Sequence, residues 1–412
     1  MSEPVRGARV GALNAYWLAL NVSNNALDPV VLPILVEGVV APGVKNSALA
    51  ALGAVGLLVA VVWQPVVGAA SDRSPRGRLP FLLVGTAAFV ACLPLLAFAP
   101  SFAGLLVATI ALQLASNTIQ GPLQALIPDY LAPAAYGAAS GVKTVFEVAG
   151  TVIGGFAGGQ LVSAGRLPLT FAFAGGALLA AAVVTAVALR GQRSRPHRVA
   201  IDPSRHVPLW RSIHSLATPP LRPYLWWLVN RYLAAIAFTS IRAFAFYFVQ
   251  DYLGLPNPAA VVGNLIATIG LVVGVAALPF GALVTREQRR GVLVAAMLVG
   301  AGAAPLLTLA RSPLALWGVG ALLGLSVAAF QVVGWAMAMD LAPAGQMGRY
   351  LGLSNIATAG GSLTARLSGI LIDSLNRTQA GLGYTALFGL DSVLLLLAAV
   401  AISRVPATLG HE

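Results

Sequence analysis

Three acids lie inside apolar runs of this chain, Asp28, Glu147 and Asp391, and carboxyls in that setting do proton chemistry. A carboxyl in a medium of low dielectric holds its proton tightly and a nearby cation loosens it, so one site can load and release a proton. Glu147 follows Lys143 by four residues, the spacing of a helical ion pair. Asp28 has no basic neighbour in its own run and ends a series of amides, which makes it the first choice of proton carrier, with Glu147 second. Arg231, Arg242 and Arg366 also fall in apolar runs, where they either pair with acids or hold an anionic solute. The four histidines, His197, His206, His214 and His411, all lie in polar segments, so no histidine relay crosses the apolar part.

Polar residues in the runs are spaced as single helical faces. Asn14, Trp17, Asn21, Asn25 and Asp28 are separated by three or four residues, as are Gln113, Asn117, Gln120 and Gln124. Shorter stripes are Arg231, Phe238 and Arg242; Gln331 with Trp335; and Asn355, Thr358, Ser362 and Arg366. A polar side chain left alone in hydrocarbon is costly, so each stripe faces protein or water. Two readings stand for any one residue: it lines a substrate cavity, or it ties helices together by hydrogen bonds. For the first two stripes, taken as faces, cavity lining is favoured. Amides that both donate and accept, beside the rings of Trp17 and Trp335, suit a neutral hydroxylated ligand, and an amphipathic drug-like molecule fits the same surface.

The elements that carry these faces follow from composition. Of 412 residues 58% are hydrophobic and 9% charged, against roughly 25% charged in soluble domains. Apolar runs recur at 11–36, 47–70, 80–99, 102–127, 137–163, 167–189, 223–250, 259–284, 291–310, 313–338, 348–372 and 384–404. Each is long enough to cross a hydrocarbon core of about 30 Å as a helix. The first run holds four asparagines and lacks a small-residue cleavage site, so it reads as a retained helix rather than a signal peptide. With Arg349 and Arg404, at the ends of their spans, counted with the adjoining loops, 17 of the 25 Lys and Arg fall on the side holding both termini and 4 on the other. That side is expected to be the cytoplasm. The net charge of +12 then reports topology and contact with anionic lipid, and nucleic acid is not an expected partner. A lone cysteine, Cys92, permits no intrachain disulfide.

The polar stretch 191–222, rich in Arg, His and Pro, divides the chain near its midpoint into 1–190 and 223–412. It reads as a cytoplasmic linker between two six-helix bundles, with 207–217 either a short interfacial helix or plain linker. Repeats support the division. Asp129-Tyr-Leu-Ala-Pro, followed by Gly137 and Gly141, answers Asp340-Leu-Ala-Pro, followed by Gly348 and Gly352, at an offset of 211. Gly68-Ala-Ala-Ser-Asp72-Arg73 answers Gly281-Ala-Leu-Val-Thr285-Arg286 at an offset of 213. Duplicated halves enclosing a site are a recurring transporter architecture. Gly150, Gly154 and Gly158, with Gly155 and Gly159 beside them, predict close approach of another helix, with sliding during transport as an added possibility.

The stretch from Gly68 through Asp72, Arg73, Arg76, Gly77 and Arg78 to Pro80 and Phe81 resembles the loop between helices two and three of the major facilitator superfamily. Two extra residues between Asp-Arg and Gly-Arg make it similar to the glycoside–pentoside–hexuronide and sucrose-transporter-like branch. Asn25-Ala-Leu-Asp28-Pro, Ile127-Pro-Asp129 and Phe246-Tyr-Phe-Val-Gln-Asp251 resemble bacterial members of it. The branch usually has three consecutive arginines where this chain has Arg78, Leu79 and Pro80. The resemblance implies twelve membrane helices in two pseudo-symmetric bundles and a cavity lined by the first helix of each three-helix unit. It also implies a cytoplasmic gate from Gly68, Asp72, Arg73, Gly77 and Arg78, with Asp129 and Asp340 in the repeated loops. Independently of the family, Asp72 can pair with Arg73, Arg76 or Arg78, while Thr285 in its place makes the second latch unequal.

The expectation is an all-α inner-membrane protein, monomeric, with both termini cytoplasmic. It is expected to move a small sugar- or glycoside-like solute by alternating access, coupled to protons or sodium, with lipids as its other partners. A drug or metabolite exporter on the same fold, and a non-transporting assembly factor or receptor, are the alternatives. No Gly-x-x-x-x-Gly-Lys-[Ser/Thr] stretch, nucleophile–base pair or metal-ligand spacing is visible, so neither enzyme activity, cofactor nor metal is expected.

Overall fold

The computed structural model describes residues 7–131, 136–190, 221–342 and 347–406. The proposed interfacial helix at 207–217, and all four histidines, lie outside the described residues. Among those described the chain is helical with no strand. The long helices are α1 (Val10–Glu37), α2 (Lys45–Asp72), α3 (Leu79–Ala97), α4 (Phe102–Leu123), α5 (Tyr136–Ser163) and α6 (Leu167–Leu189). The second series is α7 (Arg222–Tyr252), α8 (Pro258–Leu283), α9 (Arg289–Leu309), α10 (Pro313–Leu341), α11 (Met347–Arg366) and α12 (Leu382–Ser403). Apolar side chains make these runs membrane-soluble, and helices alone satisfy every backbone N–H and C=O within one segment.

Eleven of these helices are apolar and long enough to cross a membrane, and α11 is the exception. Its Ser, Thr, Asn and Arg residues lower its hydropathy, and a tight turn at Leu367 separates it from the short helix Ser368–Asn376. Leu367 keeps helical dihedrals (φ −62°, ψ −22°), so the predicted span 348–372 is interrupted without reversing direction. Sequence periodicity also missed a π-helical turn inside α1, Leu27–Val31, and another at the end of α7, Phe248–Tyr252. Such turns widen the helix and free backbone groups, and they cluster at functional sites. Asp28 sits in the first.

The chain forms two compact units, 1–198 with 256–270 and 199–255 with 271–412. In the first, α1 packs on α5 and α6, and α3 on α4 and α6. In the second, the same pairings recur as α7 on α11 and α12, and α9 on α10 and α12. The repeat extends to the caps. Ser101 and Ser312, 211 residues apart, accept from Gly104 N and Ala315 N at 3.2 Å and start α4 and α10.

The glycines of α5 serve two neighbours. A Cβ on Gly154 would stand 2.8 Å from Val22 Cα, and one on Gly158 would stand 2.7 Å from Ala26 Cα, so this row fits the backbone of α1. The other row meets the first turns of α8: a Cβ on Gly159 would stand 2.9 Å from Gly263 Cα, and one on Gly155 2.8 Å from Ile266 Cγ2. Small residues here let backbones touch, as the spacing predicted.

Candidate functional site

The loop after α2 is built around Arg78. Gly77, at φ +70°, takes the left-handed conformation that only glycine adopts freely and turns the chain so that Arg78 caps α3. Arg78 is 8% exposed. Its Nε donates to Asp129 Oδ2 at 2.5 Å and its Nη1 to Ser71 Oγ at 2.8 Å, while Asp72 Oδ1 lies 2.7 Å from Nη1. Of the three arginines open to Asp72 in the sequence, the structure selects this one; Arg73 and Arg76 are exposed. Burial alone would lower the pKa of the guanidinium, but hydrogen bonds and charge from Asp129, then Asp72, more than offset it and the net shift is upward. Gly68 lies one helix turn before this cluster against Gly121 of α4, where a Cβ on Gly121 would stand 3.1 Å from Gly68 N.

The second unit repeats the arrangement with the charges exchanged. Asp340 accepts from Arg289 in a short contact, and Arg286 Nε lies 3.5 Å from the same oxygen. Donor and acceptor are 51 residues apart in both Arg78–Asp129 and Arg289–Asp340. The first cluster therefore joins one arginine to two acids, the second one acid to two arginines. Arg289 was not singled out in the sequence, although an offset of 211 from Arg78 leads to it. The loop in the first unit is two residues longer, which is why the offset is 213 before it and 211 after it.

The stripe of α1 is used largely against α5. Asn14 is fully buried, and its Nδ2 donates to Val10 O at 2.9 Å and to Ala139 O at 3.2 Å. Asn25, 2% exposed, donates to Asn21 O and to Thr151 Oγ1 at 3.3 Å, and Thr151 in turn lies 3.5 Å from Asn21 Oδ1. Lys143 of α5 holds Glu147 at 3.5 Å and places its ammonium 4.0 Å from the centre of the Trp17 ring. Asp28 alone of this stripe is exposed. On α4, Asn117 is buried and donates to Gln113 O at 2.8 Å. Gln120 donates to Ser116 Oγ at 3.2 Å; Gln113 and Gln120 are half-buried and Gln124 is exposed.

In the second unit Arg242, Gln331 and Asn355 are exposed, and Trp335 and Arg366 half-buried. Arg231 is buried among Trp227, Phe330 and Trp335. Asp391, ranked below Asp28 and Glu147 on sequence, is the acid with least exposure among those described, 1%, and accepts from Ser240 Oγ at 2.7 Å.

The paired clusters and repeated packing describe one unit used twice, and the sequence model of the Major Facilitator Superfamily matches residues 24–364, with a second match over 257–409. The chain belongs to this superfamily. Membership makes it a multi-pass membrane transporter of a small solute working by alternating access, and not an enzyme. No curated protein matches the sequence. Solved structures share the superfamily's fold at low identity. A bacterial homologue of the iron transporter ferroportin is 15% identical, with a TM-score of 0.71 over 98% of this chain and 99% of that one. A bacterial homologue of the human lysosomal transporter Spinster is 13% identical, with a TM-score of 0.69 over 98% and 96%. The human organic anion transporter MFSD10 is 18% identical, with a TM-score of 0.63 over 97% and 100%.

Proposed function

We propose that this superfamily member is a proton-coupled symporter for a small polar solute of the sugar or glycoside class, in the inner membrane with both termini cytoplasmic. The two bundles, 1–190 and 223–412, are the moving bodies, and the Arg78 and Arg289 clusters are latches that hold one side closed in part of the cycle. The observation that carries the reading is the matched pair of ion clusters, each linking residues 51 apart at the equivalent place in its half. A static anchor needs no such duplicate, whereas a carrier that closes one side through both halves does. The half-buried amides of Asn21, Gln113 and Gln120 support a hydroxylated solute, because they can donate and accept at once.

Asp28 is the proposed proton carrier. It is exposed, lies on a π-helical turn, and ends the polar face of α1. Glu147, half-buried beside Lys143, is the second candidate. In proteoliposomes, an acidic exterior should drive uphill uptake of a sugar or glycoside found by a thermal-shift screen. Asp28→Asn should abolish uphill uptake and leave solute exchange intact. Uphill uptake that survives Asp28→Asn but is lost in Glu147→Gln moves the coupling site to Glu147. Solute movement indifferent to pH in the unaltered protein rules out proton coupling.

A further inference from the structure

Arg231 is a full positive charge placed where the fold gives it no counter-charge. It lies in the first third of α7, 6% exposed, and among the described residues no carboxylate pairs with it. Of the described acids of its own unit, Asp340 is held by Arg286 and Arg289, Asp251 accepts from Tyr384 and Asp391 from Ser240, and neither Glu287 nor Asp373 pairs with Arg231. Burying an uncompensated guanidinium is expensive, and the cost is greater in a helix bundle surrounded by lipid.

What surrounds the guanidinium meets only part of that cost. Its carbon lies 4.7 Å from the Trp335 ring centre, 4.8 Å from that of Phe330 and 5.6 Å from that of Trp227, close enough for the ring faces to attract it. Nε donates to Thr358 Oγ1 of α11 at 2.9 Å. Nη1 is buried without a hydrogen bond. Ser354, one turn before Thr358 and wholly buried, has a hydroxyl in the same condition. Thus α7 and α11 present one charge and two idle hydrogen-bond donors, walled by aromatic rings.

We propose that Arg231, oriented by Thr358 and joined by Ser354, receives the carboxylate of the transported solute, so that the solute is a small organic acid rather than a neutral molecule. This rests on the transporter reading above and replaces its neutral sugar or glycoside with an acid, sugar acids included. A carboxylate has one negative charge to balance one guanidinium, and two oxygens to take up the donors of Nη1 and Ser354. A dianionic phosphate would leave a net negative charge in the same dry place. Trp335 is half-buried and Gln331, one turn before it, exposed, so α10 is the accessible wall around the guanidinium.

The test uses the detergent-purified full chain and two matched pairs of probes, gluconate against sorbitol and benzoate against benzyl alcohol. Thermal unfolding and quenching of tryptophan fluorescence are followed at constant ionic strength. At least one acid should bind saturably and at least ten-fold more tightly than its neutral partner. Arg231→Gln should abolish that preference, Arg231→Lys should keep part of it, and Ser354→Ala should weaken the acid several-fold while leaving the protein folded. Four results overturn the assignment: no response to either acid, equal response to acid and alcohol, an unchanged preference in Arg231→Gln, or saturation by chloride that excludes both acids. If Arg231→Gln does not fold, an unchanged preference in Ser354→Ala overturns it. Uphill uptake of a neutral sugar that persists in Arg231→Gln would remove this proposal and leave the transporter reading standing.

Discussion

Arg78 holds two carboxylates at once, and the burial of one of them decides what its loss costs. Asp129 is 5% exposed, so Arg78→Ala strands a charge in the interior, a change worth about 3–5 kcal/mol for buried pairs. Arg289 and Asp340 are 24% and 20% exposed, so Arg289→Ala should cost about 1 kcal/mol. The thermal midpoint of purified protein should therefore fall further for Arg78→Ala. Arg78→Met combined with Asp129→Leu should recover much of the loss, because it removes both charges together. Equal midpoints for the two single variants would contradict this account of the pair. The loop motif made Arg78 visible in the sequence, but its main partner lies 51 residues away, and proximity through space is not written in local spacing. The surroundings of Arg231 were hidden for the same reason, since Phe330 and Trp335 reach it from α10 and Thr358 from α11.

At the scale of elements, the apolar runs and the glycine rows were legible because each depends on one helix and its period. Two-sided use of the α5 glycines was not, since nothing local says which neighbours arrive. Gly154→Ala places a methyl against the backbone at Val22 and should destabilise the first unit by about 1–3 kcal/mol, the range for overpacking. Gly302→Ala, which meets nothing within 4 Å, should have no such effect. Comparable thermal midpoints for the two would argue against close packing of α1 on α5. Ser101→Ala and Ser312→Ala each remove a helix cap and should each cost about 1 kcal/mol. Matching losses are expected, because the two caps occupy equivalent places in the repeat; a loss at one alone would show that they are not used alike. The π-helical turns were invisible to periodicity, since five residues do not alter the apolar face of a thirty-residue span.

For the whole molecule, duplication explains why charge, caps and packing recur at one offset, and membership in the Major Facilitator Superfamily gives the duplication its use. The polar stripes were legible as faces, yet much of the α1 face holds α5, so an amide stripe alone did not separate cavity from contact. The central claim is that the two halves alternate between arrangements under the control of their ion clusters. Spin labels at Arg76 and Glu287, both exposed, on a Cys92→Ala background, report this by pulsed electron resonance distance measurement. Reconstituted protein should give two distance populations, and Arg78→Ala should shift weight to the longer one. A single narrow distance, unchanged by pH, by solute and by Arg78→Ala, would contradict alternating access in this protein.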